Sequence, residues 1–185
     1  MCKQSGCALA RRMHEPFGRK VNQHIRNNQK MTQTELIILN LKEIRRRSIK
    51  LWKGLPESHY DWKPDENAMT AIQMIRHVLE ADYGWNIIIN QGNMTNYKTP
   101  WENRPFTNVT DELEFAEPYR KQFLTSVRQF SEEELNETKI IHPGNGEKKT
   151  LSKYLLRIGY HESVHAGQFL SYLRAMKVNR PEIWD

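Results

Sequence analysis

Apolar residues recur along this chain at alternating steps of three and four, the spacing that puts them on one stripe of an α-helix. Ile37, Leu41, Ile44, Ser48, Leu51 and Leu55 form the first stripe. A capping box, Thr32-x-x-Glu35, opens it, and Gly54 and Pro56 stop it. A link from Glu57 to Asn67, carrying Trp62 and Pro64, precedes a second capping box, Thr70-x-x-Gln73. The helix behind it places Met74, Val78, Ala81, Trp85 and Ile88 on one stripe, with His77 at the stripe's edge. A third helix is predicted from about Thr110 to Phe130, with Leu113, Ala116, Phe123, Val127 and Phe130 inward and Pro118 kinking or dividing it. The fourth runs from near Thr150 to about Met176 along Leu151, Tyr154, Ile158, His161, His165, Phe169, Tyr172 and Met176.

The links refine this picture. Gly92 to about Asn108 is too long for a simple bundle turn and is expected to cover something, with Trp101 and Arg104 as anchors or pocket walls. Ser131 to Thr138 is a short polar stretch. Lys139-Ile140-Ile141-His142-Pro143 before Gly144-Asn145-Gly146 suggests a small hairpin or an extended loop around a tight turn, with His142 at its surface. There is no internal repeat. The expected fold class is all-α: a four-helix bundle, antiparallel or with a long crossover loop, and a small hairpin before the last helix.

Composition narrows the functional classes. With 185 residues and 38% hydrophobic content, one domain with one sizeable core is the simplest organisation. No uncharged apolar run reaches membrane-spanning length, so a soluble cytoplasmic protein is expected. The formal charge of +6 is concentrated: residues 1–30 hold seven Lys/Arg and the single acid Glu15, leaving 21 bases and 21 acids in residues 31–185. Residues 1–30 are expected to be a basic, disordered extension, with Met31 as the natural start and a basic arm as the alternative. The neutral body, residues 31–185, gives no reason to expect nucleic acid. Both cysteines, Cys2 and Cys7, also lie in the extension. Any metal in the body must therefore be held by nitrogen and oxygen, and no protein thiol serves there as nucleophile.

His161-Glu162-Ser163-Val164-His165 is the stretch that carries chemistry. Histidines four apart on a helix share a face, so two imidazoles can hold one metal ion. Their place on an apolar stripe implies desolvation, and each ring then needs partners for both nitrogens. His77, on the second helix, is the third candidate ligand, and Glu80, Asp82 and Glu162 are candidate acceptors for the nitrogens facing away. Three neutral nitrogens leave room for water or substrate, the arrangement of a catalytic rather than a structural site. His14, His24 and His59 fit no stripe. His161-Glu162-x-x-His165 also matches the zincin signature, in which Glu162 is the general base of a zinc metalloprotease. The longer metzincin pattern fails, because Gln168 and Ser171 stand where Gly and His are required.

Leu55-Pro56, Trp62-Lys63-Pro64-Asp65, the helix around His77, and Tyr160-His161-Glu162-x-x-His165-Ala166-Gly167-Gln168 followed by Tyr172-Leu173-Arg174 resemble the DinB-like (damage-inducible) superfamily over about residues 31–180. That resemblance implies a four-helix bundle in which His77, His161 and His165 bind a divalent ion, usually zinc or nickel, and it implies frequent homodimers. Members with known activities include transferases that attach bacillithiol-type thiols to electrophiles, and thiol-dependent isomerases. Ala166 stands where many members carry a basic residue, and the extension before Met31 has no counterpart. The expected function is a metal-dependent enzyme of S-transferase or hydrolase type. It would activate an external low-molecular-weight thiol or water against a small-molecule substrate, with Glu162 or Glu80 orienting a ligand or relaying a proton. Trp85, Trp101 and Arg104 would shape the mouth. The alternatives are the HExxH protease and a non-catalytic, metal-stabilised stress-response binding protein.

Overall fold

A computed structural model describes residues 30–94 and 97–184. The expectation of a basic, disordered extension falls on residues outside those described, apart from Lys30. The body, Met31–Asp185, forms one compact unit.

Local sequence sets the helix ends. Helix α1, Gln33–Trp52, starts at Thr32, whose hydroxyl accepts from the Glu35 amide (3.1 Å) while Glu35 accepts from the Thr32 amide (2.8 Å). Helix α2, Ala71–Gln91, has the same box from Thr70 and Gln73 and ends at Gly92, whose φ of 79° is the left-handed conformation glycine adopts freely. Asn108 caps helix α3, Val109–Gln129. Pro118 does not divide α3. It and Glu114, whose carbonyl loses its helical partner, both face solvent, where water replaces the missing bond.

The polar stretch after α3 contains a helix the hydrophobic pattern did not reveal. Helix α4, Glu132–Glu137, is opened by a Ser131/Glu134 capping box and anchored by fully buried Leu135. The hairpin is present, with β1 (Lys139–Ile141) antiparallel to β2 (Lys148–Thr150) and Ile140 opposite Lys149. Helix α5, Leu151–Ala175, completes the bundle.

Helix α1 lies beside α3 and α5, and α2 lies beside the same two. Pairwise contacts fix the directions. Met69–Tyr172, His77–His161 and Trp85–Tyr154 make α2 and α5 antiparallel. Arg76–Glu112, Asp82–Arg120 and Asn90–Ser126 make α2 and α3 parallel. Consecutive parallel helices require a connection that retraces their length, about 30 Å for α2. The link from Gly92 to Asn108 is that crossover, and at roughly 3.3 Å per extended residue it has the reach.

The apolar core falls into two parts. Leu51, Trp52, Met74, Ile75, Val78, Phe169 and Leu173 fill one end. Leu41, Ile88, Phe123, Val127, Leu135, Ile140, Leu151 and Leu155 fill the other. Between them one charged side chain enters from each long helix: Arg45, Asp82, Arg120 and Glu162. Among the described residues no helix is long and apolar enough to cross a membrane.

Candidate metal centre

The three histidines converge at the level of this charged layer. The Nε2 atom of His161 lies 3.2 Å from Nε2 of His77 and 3.2 Å from Nε2 of His165, and one ligand atom from each ring falls within 4.8 Å of the others. A neutral imidazole nitrogen carries either one hydrogen or one lone pair, so His161 Nε2 cannot satisfy both neighbours by hydrogen bonding. One cation between the rings satisfies all three lone pairs. The spacing also fits, because zinc–nitrogen bonds of about 2.0–2.1 Å at a tetrahedral angle separate two ligand nitrogens by about 3.4 Å.

Electrostatics keep the rings neutral. Burial, followed by the neighbouring His165 and His77, pushes the pKa of His161 down to about 4. Burial also lowers those of His77, against the opposing charge of Glu80, and of His165. Neutral imidazole is the form that ligates. The Trp85 ring stands edge-on to His161 at 5.7 Å, and the Arg157 guanidinium carbon lies 5.8 Å from the centre of the same ring. Nδ1 of His165 is enclosed without a hydrogen-bond partner.

The triad sits at the bundle's margin rather than in its interior. His161 and His165 are half-buried and His77 is exposed. On α5 the inward seam runs through Leu151, Leu155, Ile158, Glu162, Phe169 and Leu173, so the step after Ile158 falls on Glu162 instead of His161. Arg45 Nε and Nη2 donate to the two Glu162 oxygens at 2.7 and 3.1 Å, and Glu162 is only 4% exposed. Its carboxylate is therefore held by a guanidinium rather than by an imidazole. This corrects both roles expected for Glu162, since a general base must be free to reach a water. Asp82, also expected beside the imidazoles, accepts instead from Arg45 Nη1 and Arg120 Nη1, each at 2.9 Å.

Arg45 is the participant that sequence reasoning missed. The first stripe took Ile44 as inward, whereas Ile44 is half-buried and Arg45 is buried. A signal was present: four cationic residues crowd the segment Lys42–Arg47, two acids stand one residue beyond stripe positions of other helices, and buried acids need partners.

Glu80 lies at the mouth. With His77 and His161 it lines a cleft of about 270 Å³ whose other walls include Gly84, Trp85, Ile88, Met94, Tyr97 and Pro143. Tyr97 Oη donates to Glu80 at 3.0 Å, and burial, reinforced by the Glu80 charge, raises the tyrosine's pKa. Trp85 shapes this mouth as expected. Trp101 and Arg104 do not reach it and serve as anchors of the crossover: Trp101 Nε1 donates to fully buried Glu112 at 2.9 Å, and Arg104 pairs with Asp111. His142 is half-buried in the hairpin turn, where its Nδ1 accepts from the Gly144 amide at 3.1 Å.

Residues 40–169, a span containing all three histidines and the whole charged layer, match the DinB superfamily. The chain belongs to that superfamily. It is 26% identical over 146 residues to the Bacillus subtilis protein YjoA, which is uncharacterized; the match covers 79% of this chain and 92% of YjoA. The crystal structure of YjoA, a DinB-like protein, superposes with a TM-score of 0.60 at 24% identity, covering 80% of this chain and 96% of that one. YfiT, also from Bacillus subtilis, superposes with a TM-score of 0.61 at 13% identity, covering 82% and 93%. It is described as a probable metal-dependent hydrolase with an unusual four-helix bundle topology. Both superpositions support the bundle fold of this DinB superfamily member.

Proposed function

We propose that His77, His161 and His165 hold one divalent cation, zinc or nickel, and that the protein is a metal-dependent enzyme of S-transferase or hydrolase type acting on a small molecule. The observation that carries this reading is the convergence of three neutral Nε2 atoms beside a partly apolar cleft. The description of YfiT as a probable metal-dependent hydrolase adds support. A divalent cation at the triad supplies Lewis acidity, which lowers the pKa of water or of an external thiol at an open position. The chain's own residues do the rest. The half-buried histidines leave the centre open to ligands, and Trp85 shields one side of His161 from water. Glu80, beside His77 and His161 and within reach of the cleft, is the group to take or return a proton.

The buried ion pair of Glu162 weighs against the protease reading, because its carboxylate is already engaged by Arg45. The half-open site also favours a catalytic centre over a purely structural metal, which would be closed by four protein ligands. Residues 1–30 as a separate basic extension, a cytoplasmic location and homodimer formation belong to the same proposal. An exposed row on α5, Leu156, Tyr160 and Val164, is the surface that supports a dimer.

Elemental analysis of the purified protein beside a His161→Ala variant tests the centre. The expected result is about one equivalent of divalent metal in the wild type and little in the variant. A wild type that carries none after growth in supplemented medium, and takes up none on titration, overturns the reading. Removal of the metal by chelation is expected to leave the helices intact, and unfolding on chelation would favour the non-catalytic alternative.

A further inference from the structure

Gly84 lies inside α2, where glycine is a poorer helix former than alanine. Its own surroundings do not demand glycine. A Cβ built there would meet the Tyr97 ring at 3.6 Å, Met94 Sδ at 3.8 Å and Tyr97 Oη at 3.8 Å, all ordinary contacts. The missing side chain instead leaves open the floor of the cleft that adjoins His77 and His161. That cleft holds about 270 Å³. A cavity of about 150 Å³ accepts benzene, so a six-membered ring fits here with room for a linker. The surfaces that would face such a ring are Trp85, Ile88, Met94, Tyr97 and Pro143, two aromatic faces and three apolar side chains.

We propose that Gly84 sets the depth of a substrate subsite. The substrate class is a small molecule in which a metal-reactive head, placed at His77 and His161, is joined to a ring-sized apolar group lodged against Trp85, Met94 and Tyr97. The inference rests on the metal-centre reading for the head and on the cleft alone for the apolar group. Glu80 sharpens the specificity: its carboxylate, which accepts from Tyr97 Oη, disfavours a second anionic group at that end of the cleft. A glycine that weakens its helix while opening the floor of a cleft is explained by what the opening admits.

Two hydroxamates test the subsite on zinc-loaded protein. Acetohydroxamate reads the metal, and phenylacetohydroxamate reads the metal and the cleft together. Burial of the phenyl group should tighten binding by about tenfold or more in the wild type. In Gly84→Leu that advantage should vanish, and in Gly84→Ala it should shrink, with acetohydroxamate affinity and zinc stoichiometry unchanged in both. Equal affinities of the two hydroxamates for the wild type, or a full phenyl advantage in Gly84→Leu, overturns the proposal. If the wild type binds no zinc, the metal-centre reading fails and the cleft is still read by benzyl alcohol, followed through NMR shifts of the Gly84 amide and the Trp85 indole. Saturable shifts in the wild type that are lost in Gly84→Leu support the subsite, and their absence in the wild type overturns it. Gly84→Ala, which fits without a clash, keeps the test valid if the leucine variant does not fold.

Discussion

Replacing Glu162 by glutamine removes one negative charge from a layer that holds two arginines and two acids. Arg45 is 7% exposed, Asp82 1% and Glu162 4%, so solvent cannot compensate the change. Asp82 would then be shared by Arg45 and Arg120 with no second carboxylate between them. Breaking a buried ion pair from one side typically costs about 3–5 kcal/mol. Glutamine retains an acceptor for Arg45, so the lower end, about 3 kcal/mol, is expected, or roughly 6–12 °C in Tm for a chain of this size. Denaturant titration followed by circular dichroism measures it, with metal content assayed in parallel. The double variant Arg45→Met/Glu162→Leu should lose less than the sum of its single variants, because it leaves the neutral Asp82–Arg120 pair intact. Acid should act in the same direction. Burial by itself would raise the pKa of Glu162, but the Arg45 charge and hydrogen bonds outweigh it and hold the carboxyl below its usual value. The stabilisation is then complete above the ordinary glutamate pKa of about 4.3 and is lost as pH falls through the depressed folded value. A Glu162→Gln protein within about 0.5 kcal/mol of the wild type would refute this reasoning. So would loss of activity with no loss of stability, the signature expected of a general base.

The metal-free protein should lose stability as pH falls from about 6.5 towards 4. The unfolded chain takes up protons at three histidines whose pKa values are lowered in the fold, that of His161 to about 4. A His77→Gln/His161→Gln/His165→Gln variant should show a shallower acid limb in the same denaturant titration. Trp101→Phe removes the indole donor from fully buried Glu112 and should cost about 1.5–3 kcal/mol, measured by thermal unfolding, with no effect on metal content. Thr70→Ala breaks the capping box of α2 and should cost about 1 kcal/mol in the same assay.

Short-range chemistry made much of this protein legible in its sequence. The capping boxes at Thr32 and Thr70 marked the starts of α1 and α2 because a side chain three residues away satisfies the free amides. Gly144-Asn145-Gly146 marked the hairpin turn, and the length of the Gly92–Asn108 link signalled a crossover. The pairing of His161 with His165 followed from helical period alone, and His77 from its place at the edge of a second stripe. Periodicity, however, resolves a face only to within about one residue. On α5 that uncertainty exchanged His161 for Glu162, and on α1 it exchanged Ile44 for Arg45. Which of two adjacent residues points inward is decided by what the other helices offer: Arg45 and Glu162 go inside because they meet each other and, through Asp82 and Arg120, all four long helices. Sequence thus determined that three histidines share a site. Only the tertiary structure, by moving a buried charge layer into the seam, decided that they stand at its open edge and that the glutamate between two of them belongs to the core.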